Sequence, residues 1–176
     1  SAALPYEIGH LFAIIAAMSD NLPLLLAQSY RNAMANVAAG VHVITTGGAA
    51  GSYGITMTAV TSVTDEPPTL VLCINRKAAI QPILRANGHL CVNVLSAQQQ
   101  DVAEHFAGIT KLTPQERFEQ HVWTDGPSGQ PQVADALAHL HGRVLQAHDM
   151  GSHTVFYVAV EHIHVNSNAE PGLLYF

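Results

Sequence analysis

Short β-rich segments, separated by glycine and proline breaks, constrain the fold of this chain more than any other feature of its sequence. Runs of β-branched and apolar residues predict strands at 41–46, 53–63, 69–75, 89–95, about 137–148 and about 153–165. These strands do not alternate regularly with long helices, which excludes a doubly wound Rossmann sheet. The pattern indicates a mainly β fold with peripheral helices, built as a closed antiparallel barrel.

Breaker residues set the expected connections between these strands. The glycine-rich stretch 47–52 predicts a flexible hairpin turn, and its glycines do not have the spacing of a phosphate-binding loop. Pro67 and Pro68 end the second strand. The third strand, 69–75, is almost continuously apolar, so we expect it to be buried on both faces.

Capping residues and helical periodicity predict the peripheral helices. They are expected at roughly 23–39, 78–86 and 98–107, and in a short segment that begins at Thr113-Pro114. Gly40 is expected to end the first of them. The apolar stretch 11–18 lacks the basic region of a signal sequence and is too short to span a membrane. It predicts an N-terminal helix that packs on the domain or on a second subunit.

The chain carries few charges for its length. Charged residues make up 11% and hydrophobic residues 48% of the sequence, whereas about 25% charged residues is usual in globular proteins. A monomer of this composition would expose much apolar surface, which predicts an oligomer or a large bound ligand. The net charge of −6 offers no broad positive surface, so neither nucleic acid nor a membrane is expected as a partner.

The two cysteines, Cys73 and Cys91, lie in apolar runs and form no Cys-x-x-Cys pair. We expect buried free thiols, which fit a reducing, cytoplasmic compartment. Neither cysteine lies in an electropositive setting, and no Gly-x-Ser-x-Gly motif is present. Any difficult chemistry is therefore expected to belong to a cofactor.

Asn75, Arg76 and Lys77 include the only adjacent pair of cations in the sequence. They stand where the third predicted strand ends and a helix begins. A helix N-terminus offers unpaired N–H groups and the positive end of a dipole, so the neighbouring Arg and Lys favour an anion site, most simply for a phosphate. The alternative is a solvated strand end.

Hydroxyl groups recur along the run 54–62, which otherwise has the composition of a core strand. With a period of two, Thr56, Thr58 and Ser62 share one face of the predicted strand. Buried hydroxyls need partners, and the edge of a planar heterocycle with alternating donors and acceptors would supply them. The alternative is a strand whose threonines face solvent.

Histidines occur in pairs near the C-terminal strands. The pairs are His139/His141 and His162/His164, each two residues apart on a strand, and His148/His153, on either side of a bend. Pairs on strands bind metal in some barrels. The nearby carboxylates are limited to Asp149 and Glu161, so hydrogen-bonded or solvated histidines are the alternative, and no metal is expected.

Several segments in a fixed order resemble a known family. They are Arg31–Met34, Ala39–Thr46, Gly54–Val63, Pro67–Leu70, Cys73–Arg76, Val92–Leu95, Phe106–Gly108 and Gly151–Thr154. In this combination the chain resembles the short-chain flavin reductases that supply reduced flavin to two-component aromatic monooxygenases, such as those for hydroxyphenylacetate and chlorophenol. The resemblance runs from about residue 29 to the C-terminus.

The resemblance implies a split β-barrel of the flavin-reductase, FMN-binding type that forms a homodimer. It implies an NAD(P)H-dependent flavin reductase that transfers hydride from NADH to FAD, with FMN as the other flavin. The reduced flavin would reach a partner monooxygenase by diffusion, and that partner would act on an aromatic compound. Residues 1–176 would form a single domain, with 1–28 as a helical extension at the dimer interface.

The resemblance also assigns site residues. The isoalloxazine ring would lie along Thr56, Met57, Thr58, Ala59, Val60, Thr61 and Ser62. Further flavin contacts would be Asn75, Arg76 and Lys77 at the phosphate end, together with Cys73, Ala79 and Phe106. Ser152 and His153 would bind the nicotinamide, with His153 as the catalytic residue, and Ser152 stands where the family more often has Asp.

Two other functions remain open at this point. A barrel of the same kind could hold flavin as an electron carrier, or as an oxidase of another substrate, without reducing free flavin. A metal-dependent β-barrel enzyme could instead use the histidine pairs. NADH oxidation that requires added flavin, and elemental analysis of protein purified without chelator, separate these functions from a flavin reductase.

Overall fold

The structure is a computed structural model that describes residues 22–167 and 170–175. Within this part of the chain, helix α1 (22–34) belongs to one compact unit, and Ala39–Tyr175 form a second. The single domain with a 1–28 extension therefore stays a prediction. The predicted helix at 11–18 lies outside the described residues.

The second unit is mainly β with peripheral helices, as predicted. Its strands are β1 (Ala39–Gly40), β2 (His42–Thr46), β3 (Tyr53–Met57), β4 (Val60–Asp65), β5 (Pro68–Asn75), β6 (His89–Val94), β7 (Trp123–Asp125), β8 (Pro131–Val133), β9 (Ala138–Met150), β10 (His153–Val165) and β11 (Leu174–Tyr175). Its helices are α2 (Ile80–Asn87), α3 (Gln100–Phe106) and α4 (Pro114–Glu119). Seven strands form one antiparallel sheet in the order β3-β2-β6-β9-β10-β5-β4.

Helix α1 ends earlier than predicted, at residue 34 rather than 39. Its last turn tightens, because the amides of Asn36 and Val37 bond to carbonyls three residues back. The expected terminator, Gly40, lies instead in β1, where it pairs with Leu174 of β11.

The remaining helices lie within two residues of their predicted starts. The amide of Glu116 donates to Oγ1 of Thr113 at 3.3 Å, and the amide of Thr113 donates to Oε2 of Glu116 at 2.8 Å, which confirms the predicted cap of α4. Among the described helices, none combines the length and the apolar character needed to cross a membrane.

The strand predicted at 53–63 is in fact two strands. β3 pairs with β2 and β4 pairs with β5, so the two strands are the opposite edges of the seven-stranded sheet. Thr58 and Ala59, which we call the crossover, carry the chain from one edge to the other as the sheet curls into a barrel. Thr56, Thr58 and Ser62 therefore do not share one face of a single strand.

Strand β5 is buried on one face rather than on both. Leu70, Leu72 and Ile74 point into the core, whereas Val71 and Cys73 between them are half-buried. Both neighbours pair with β5 antiparallel, and antiparallel strands commonly bury only one face. Both cysteines are free as expected, but only Cys91 is fully buried.

Two apolar cores hold the barrel and its helices together. The first fills the sheet and takes in one face of α2, with Ile44, Leu72, Ile80, Leu84 and Phe156 among its buried members. The second lies around α3, with Val43, Leu95, Val102, Phe106 and Val133 among its buried members. The helices are thus attached to the barrel by their apolar faces, which is the main source of helix stability in small proteins.

Candidate functional site

The cationic junction, Asn75–Lys77, lies where β5 gives way to α2, as predicted. Asn75 shapes it: its Oδ1 accepts the amide of Lys77 at 2.9 Å, and its carbonyl accepts the amide of Ala78 at 2.9 Å. This turn leaves the side chains of Arg76 and Lys77 exposed.

The turn between β9 and β10 lies directly against this junction. The amide of Arg76 donates to the carbonyl of Ser152 at 2.9 Å, and its Nη1 donates to the carbonyl of Gly151 at 3.4 Å. One residue further, His153 is the ladder partner of Asn75. The junction and the turn line an open cleft of about 560 Å³.

A shared carboxylate holds Arg76 in place. Oδ2 of Asp149 lies 3.4 Å from Nε of Arg76, and its Oδ1 lies 3.4 Å from Nη2 of Arg85. The hydroxyl of Thr154 also donates to Oδ1, at 2.7 Å. This hydrogen bond, and then the two guanidinium groups, hold the pKa of Asp149 below its usual range. Sequence reasoning missed this network, because the pairing of distant strands and the packing of α2 bring its members together.

Positive charge collects at the cleft in a chain that is negative overall. Arg76, Lys77 and Arg85 contribute three positive charges and Asp149 one negative charge, which leaves a local net charge of +2 against −6 for the whole chain. Within the described residues, the ammonium group of Lys77 has no ion-pair partner. The cleft is therefore suited to an anionic group.

His153 follows Ser152 as the first residue of β10, next to the residues that line the cleft. It is exposed, and its Nδ1 lies 2.9 Å from Oγ of the neighbouring Ser152. A hydrogen bond at one ring nitrogen fixes the orientation of an imidazole and leaves the other nitrogen free for a ligand. The structure thus places both residues predicted for the nicotinamide beside those predicted for the phosphate.

The crossover connects this cleft to the hydroxyl-bearing run. The carbonyl of Ala59 accepts the amide of Cys73 at 3.2 Å, and Val60 is the ladder partner of Leu72. Because side chains alternate along β5, Cys73 lies on the same outward face as Asn75. The crossover therefore borders one continuous surface, which we call the site face, that leads through Cys73 to the cleft.

A second groove lies on the other side of the crossover. Thr56, Met57 and Thr58 line it with residues of α3 and β11, and its volume is about 560 Å³. The hydroxyl of Thr56 is already used there, because it donates to the carbonyl of Ala103 at 2.6 Å. That bond holds α3 against β3.

The other predicted flavin contacts are spread over the barrel. Ala79 is exposed beside the junction, and Thr61 and Ser62 are exposed on the edge strand β4. Phe106 is only 2% exposed and lies in the second core, so the structure does not bring its side chain to the cleft.

The four histidines of β9 and β10 form two facing pairs. His141 lies opposite His162, and His139 lies opposite His164. Burial, and then the neighbouring histidines, lower the pKa of His141 to about 4, and its Nε2 lies 2.8 Å from Oε1 of Gln132. Among the described residues, no group of three or more potential ligands could hold a metal ion. Nε2 of His139 lies 2.8 Å from the carbonyl of Val133, and His162 and His164 are exposed.

Known proteins resemble this chain over most of its length. Residues 34–176 match the flavin reductase like domain. The chain is 49% identical over 149 residues to the 4-hydroxyphenylacetate 3-monooxygenase reductase component of Pseudomonas aeruginosa, covering 85% of this chain and 87% of that protein. It is 41% identical over 152 residues to the FMN reductase (NADH) of Stutzerimonas stutzeri, covering 86% of each.

Solved structures share the fold. The NADH:FAD oxidoreductase of Streptomyces globisporus C-1027 superposes with a TM-score of 0.75 at 31% identity, covering 83% of this chain and 81% of that one. The same oxidoreductase is also solved in complex with NAD and FAD fragments. The expected split barrel is thereby confirmed. With a matched domain that spans most of the sequence and relatives at this level of identity, the chain belongs to the flavin reductase family of oxidoreductases.

Proposed function

We propose that the protein uses NADH to reduce free flavin, FAD in preference to FMN, and releases the reduced flavin to a monooxygenase that acts on an aromatic compound. One observation carries the proposal: the cationic junction and the turn with Gly151 and Ser152 line the same cleft, and His153, the next residue, is the ladder partner of Asn75. The names of the relatives support it, since they include a monooxygenase reductase component, an FMN reductase and an NADH:FAD oxidoreductase.

The residues of the cleft fit a phosphate-bearing flavin. Lys77 and Arg76 supply exposed positive charge for the phosphate, and the turn made by Asn75 holds both at the start of α2. Ala59 and Cys73, along the site face, would border the ring. When bound, the flavin ring accepts a hydride from the nicotinamide of NADH.

His153 and Ser152 would position the nicotinamide. The contact of 2.9 Å between Oγ of Ser152 and Nδ1 of His153 orients the imidazole, and its Nε2 stays available at the rim. Holding two reactants in one orientation accounts for much of the rate enhancement in such transfers. Because the cleft is open to solvent, the flavin is able to leave after reduction, as release to a separate monooxygenase requires.

The apolar stripe of α1 supports a homodimer. Leu22, Leu26, Tyr30 and Met34 recur every four residues and are 65%, 69%, 65% and 47% exposed. On the opposite side of the helix, the side chains of Gln28 and Asn32 bond to each other beside the exposed Leu24 and Leu25. Within residues 22–167 and 170–175 nothing covers this apolar face, and we propose that a second copy of the chain buries it. The two free thiols agree with a cytoplasmic location.

Steady-state NADH oxidation tests the proposed activity. We expect loss of NADH absorbance that requires added FAD or FMN and saturates with the flavin concentration. A yellow protein that oxidises NADH with no response to added flavin would instead be an oxidase or an electron carrier. A protein that binds neither flavin would contradict the proposal altogether.

A further inference from the structure

The carboxylate of Asp149 is held by a buried hydroxyl group as well as by two exposed arginine side chains. It lies opposite Thr154 in the ladder between β9 and β10, on either side of the turn that lines the cleft. Thr154 is 1% exposed, and its hydroxyl donates to Oδ1 of the carboxylate at 2.7 Å. Arg85, which contacts the same oxygen, is itself placed over the ring of Phe156 at 5.4 Å. The carboxylate therefore has a fixed position.

The same hairpin contains a simple surface ion pair for comparison. Nε of Arg143 lies 3.0 Å from Oε1 of Glu161, at similar exposure to the pair of Arg76 and Asp149. An isolated exposed ion pair of this kind contributes little to the stability of the fold. Asp149 differs because both of its oxygens are used and three separate side chains approach it.

Arg76 connects Asp149 to both parts of the cleft, which are the cationic junction and the turn between β9 and β10. Its guanidinium contacts Asp149 and the carbonyl of Gly151, and its amide donates to the carbonyl of Ser152. A group bound to Arg76 is thus bound to the turn that presents His153. Without the carboxylate, the guanidinium would lose the ion pair that the described residues give it and would keep its contact of 3.4 Å with the carbonyl of Gly151.

We propose that Asp149 is a positioning residue that couples the phosphate of the bound flavin to the nicotinamide side of the cleft, through Arg76. The inference rests on the proposed function and deepens it. A flavin whose phosphate lies on Arg76 fixes the turn and, with it, His153, so that NADH binds to a preorganised site. A flavin without a phosphate lacks this contact with Arg76 and does not fix the turn.

FMN and riboflavin test this coupling, because they differ only in the phosphate. We expect the KM for NADH to be about fivefold lower with FMN than with riboflavin in the wild-type protein. In Asp149→Asn, which keeps the shape of the side chain and the acceptor for Thr154, we expect this ratio to fall to about one. A merely structural role for Asp149 would alter both KM values equally and leave their ratio unchanged.

Glu161→Gln is the matched control, since it removes one carboxylate from an exposed arginine pair on the same hairpin. It should keep the wild-type ratio. If the Asn variant does not fold, Asp149→Ser, which also removes the carboxylate, serves as the test: its ratio should fall to about one, and a wild-type ratio would overturn the inference. Asp149 has no coupling role if the wild-type ratio is one, or if the Asn variant keeps the wild-type ratio while NADH still reduces flavin. A protein that reduces neither flavin overturns the proposed function and this inference with it.

Discussion

Asn75 and His153 face each other as ladder partners on β5 and β10. Opposite residues of an antiparallel pair have Cβ atoms about 5 Å apart. The residue that shapes the cationic junction and the histidine proposed for the nicotinamide therefore share one outward surface. Any ligand that uses both must lie across these two strands, and this geometry determines the first two predictions.

Removal of the Lys77 charge should weaken the binding of phosphate-bearing flavins. In Lys77→Ala we expect the Kd for FMN to rise about three- to fivefold, because an exposed charge contributes modestly, and the Kd for riboflavin to stay unchanged. The free energy of unfolding should change by less than about 0.5 kcal/mol. Fluorescence titration measures both affinities. Lys111→Ala, at the other lysine of the chain, is the control, and an equal effect there would contradict a specific site.

Loss of the His153 imidazole should impair the reaction with NADH. In His153→Ala we expect kcat/KM for NADH to fall about tenfold or more, with the flavin Kd unchanged, since the residue is proposed to orient the nicotinamide. Initial rates at saturating flavin measure this effect. His162→Ala, at an exposed position further along β10, should behave as wild type. Wild-type kinetics in His153→Ala would place the nicotinamide elsewhere.

Acid should destabilise the fold through the buried His141. Burial lowers its pKa in the folded state to about 4 from an ordinary value of 6.5, so the unfolded chain binds more protons between these values. The contribution of neutral His141 to the free energy of unfolding is fully present above pH 6.5. It is lost progressively as the pH falls toward 4. Urea unfolding at several pH values should show this slope.

A neutral substitute at this position should reduce the pH dependence. In His141→Gln we expect a shallower fall in the urea midpoint between pH 6.5 and 4. The slope should not vanish, because burial also lowers the pKa of His139. Identical slopes in the variant and the wild type would show that His141 does not carry the effect.

A methyl group at Gly54 should disrupt the contact between β3 and α3. A Cβ atom there would lie 2.7 Å from two ring carbons of Phe106, a residue that is 2% exposed and packed in the second core. We expect Gly54→Ala to lower the free energy of unfolding by about 1–3 kcal/mol. Gly172→Ala is the control, because the nearest atom to its new Cβ, on Leu137, is 3.7 Å away. Equal urea midpoints for the two variants would contradict the packing argument.

Charge on the apolar stripe of α1 should dissociate the proposed dimer. In Leu26→Glu we expect the mass measured by light scattering to fall from two chains to one, because a buried unpaired carboxylate is costly. Gln28→Glu adds the same charge at a position that is already polar, on the other side of the helix, and should leave the dimer intact. A dimer that persists in Leu26→Glu would require a different interface.

Local patterns were sufficient for most of the fold. Strand β6, the long hairpin of β9 and β10, and the cap at Thr113 all follow from residues close together in the sequence. The errors concern the end of α1, the burial of β5 and the run 53–63, where the sheet closes. Nothing in the run 53–63 shows that Thr58 and Ala59 must leave one edge of the sheet for the other.

The sequence also predicted most, but not all, of the candidate site. The cationic junction follows from adjacent residues, and the place of His153 follows from the family resemblance. Asp149 and Arg85 were not found, because the contacts of Asp149 with Arg76 and Arg85 depend on the pairing of distant strands and on the packing of α2. Phe106 shows the converse: a motif gives a residue's place in the chain but not whether its side chain reaches the surface.

The crossover joins the two edge strands of the seven-stranded sheet. β3 and β4 share no ladder, so the peptide bonds at 58–59 are not needed to hold any pair of strands together. A circular permutant opened at this point would retain every strand pairing of the sheet. It would lose the covalent link between β3 and β4. It would also lose the continuous segment that borders the site face.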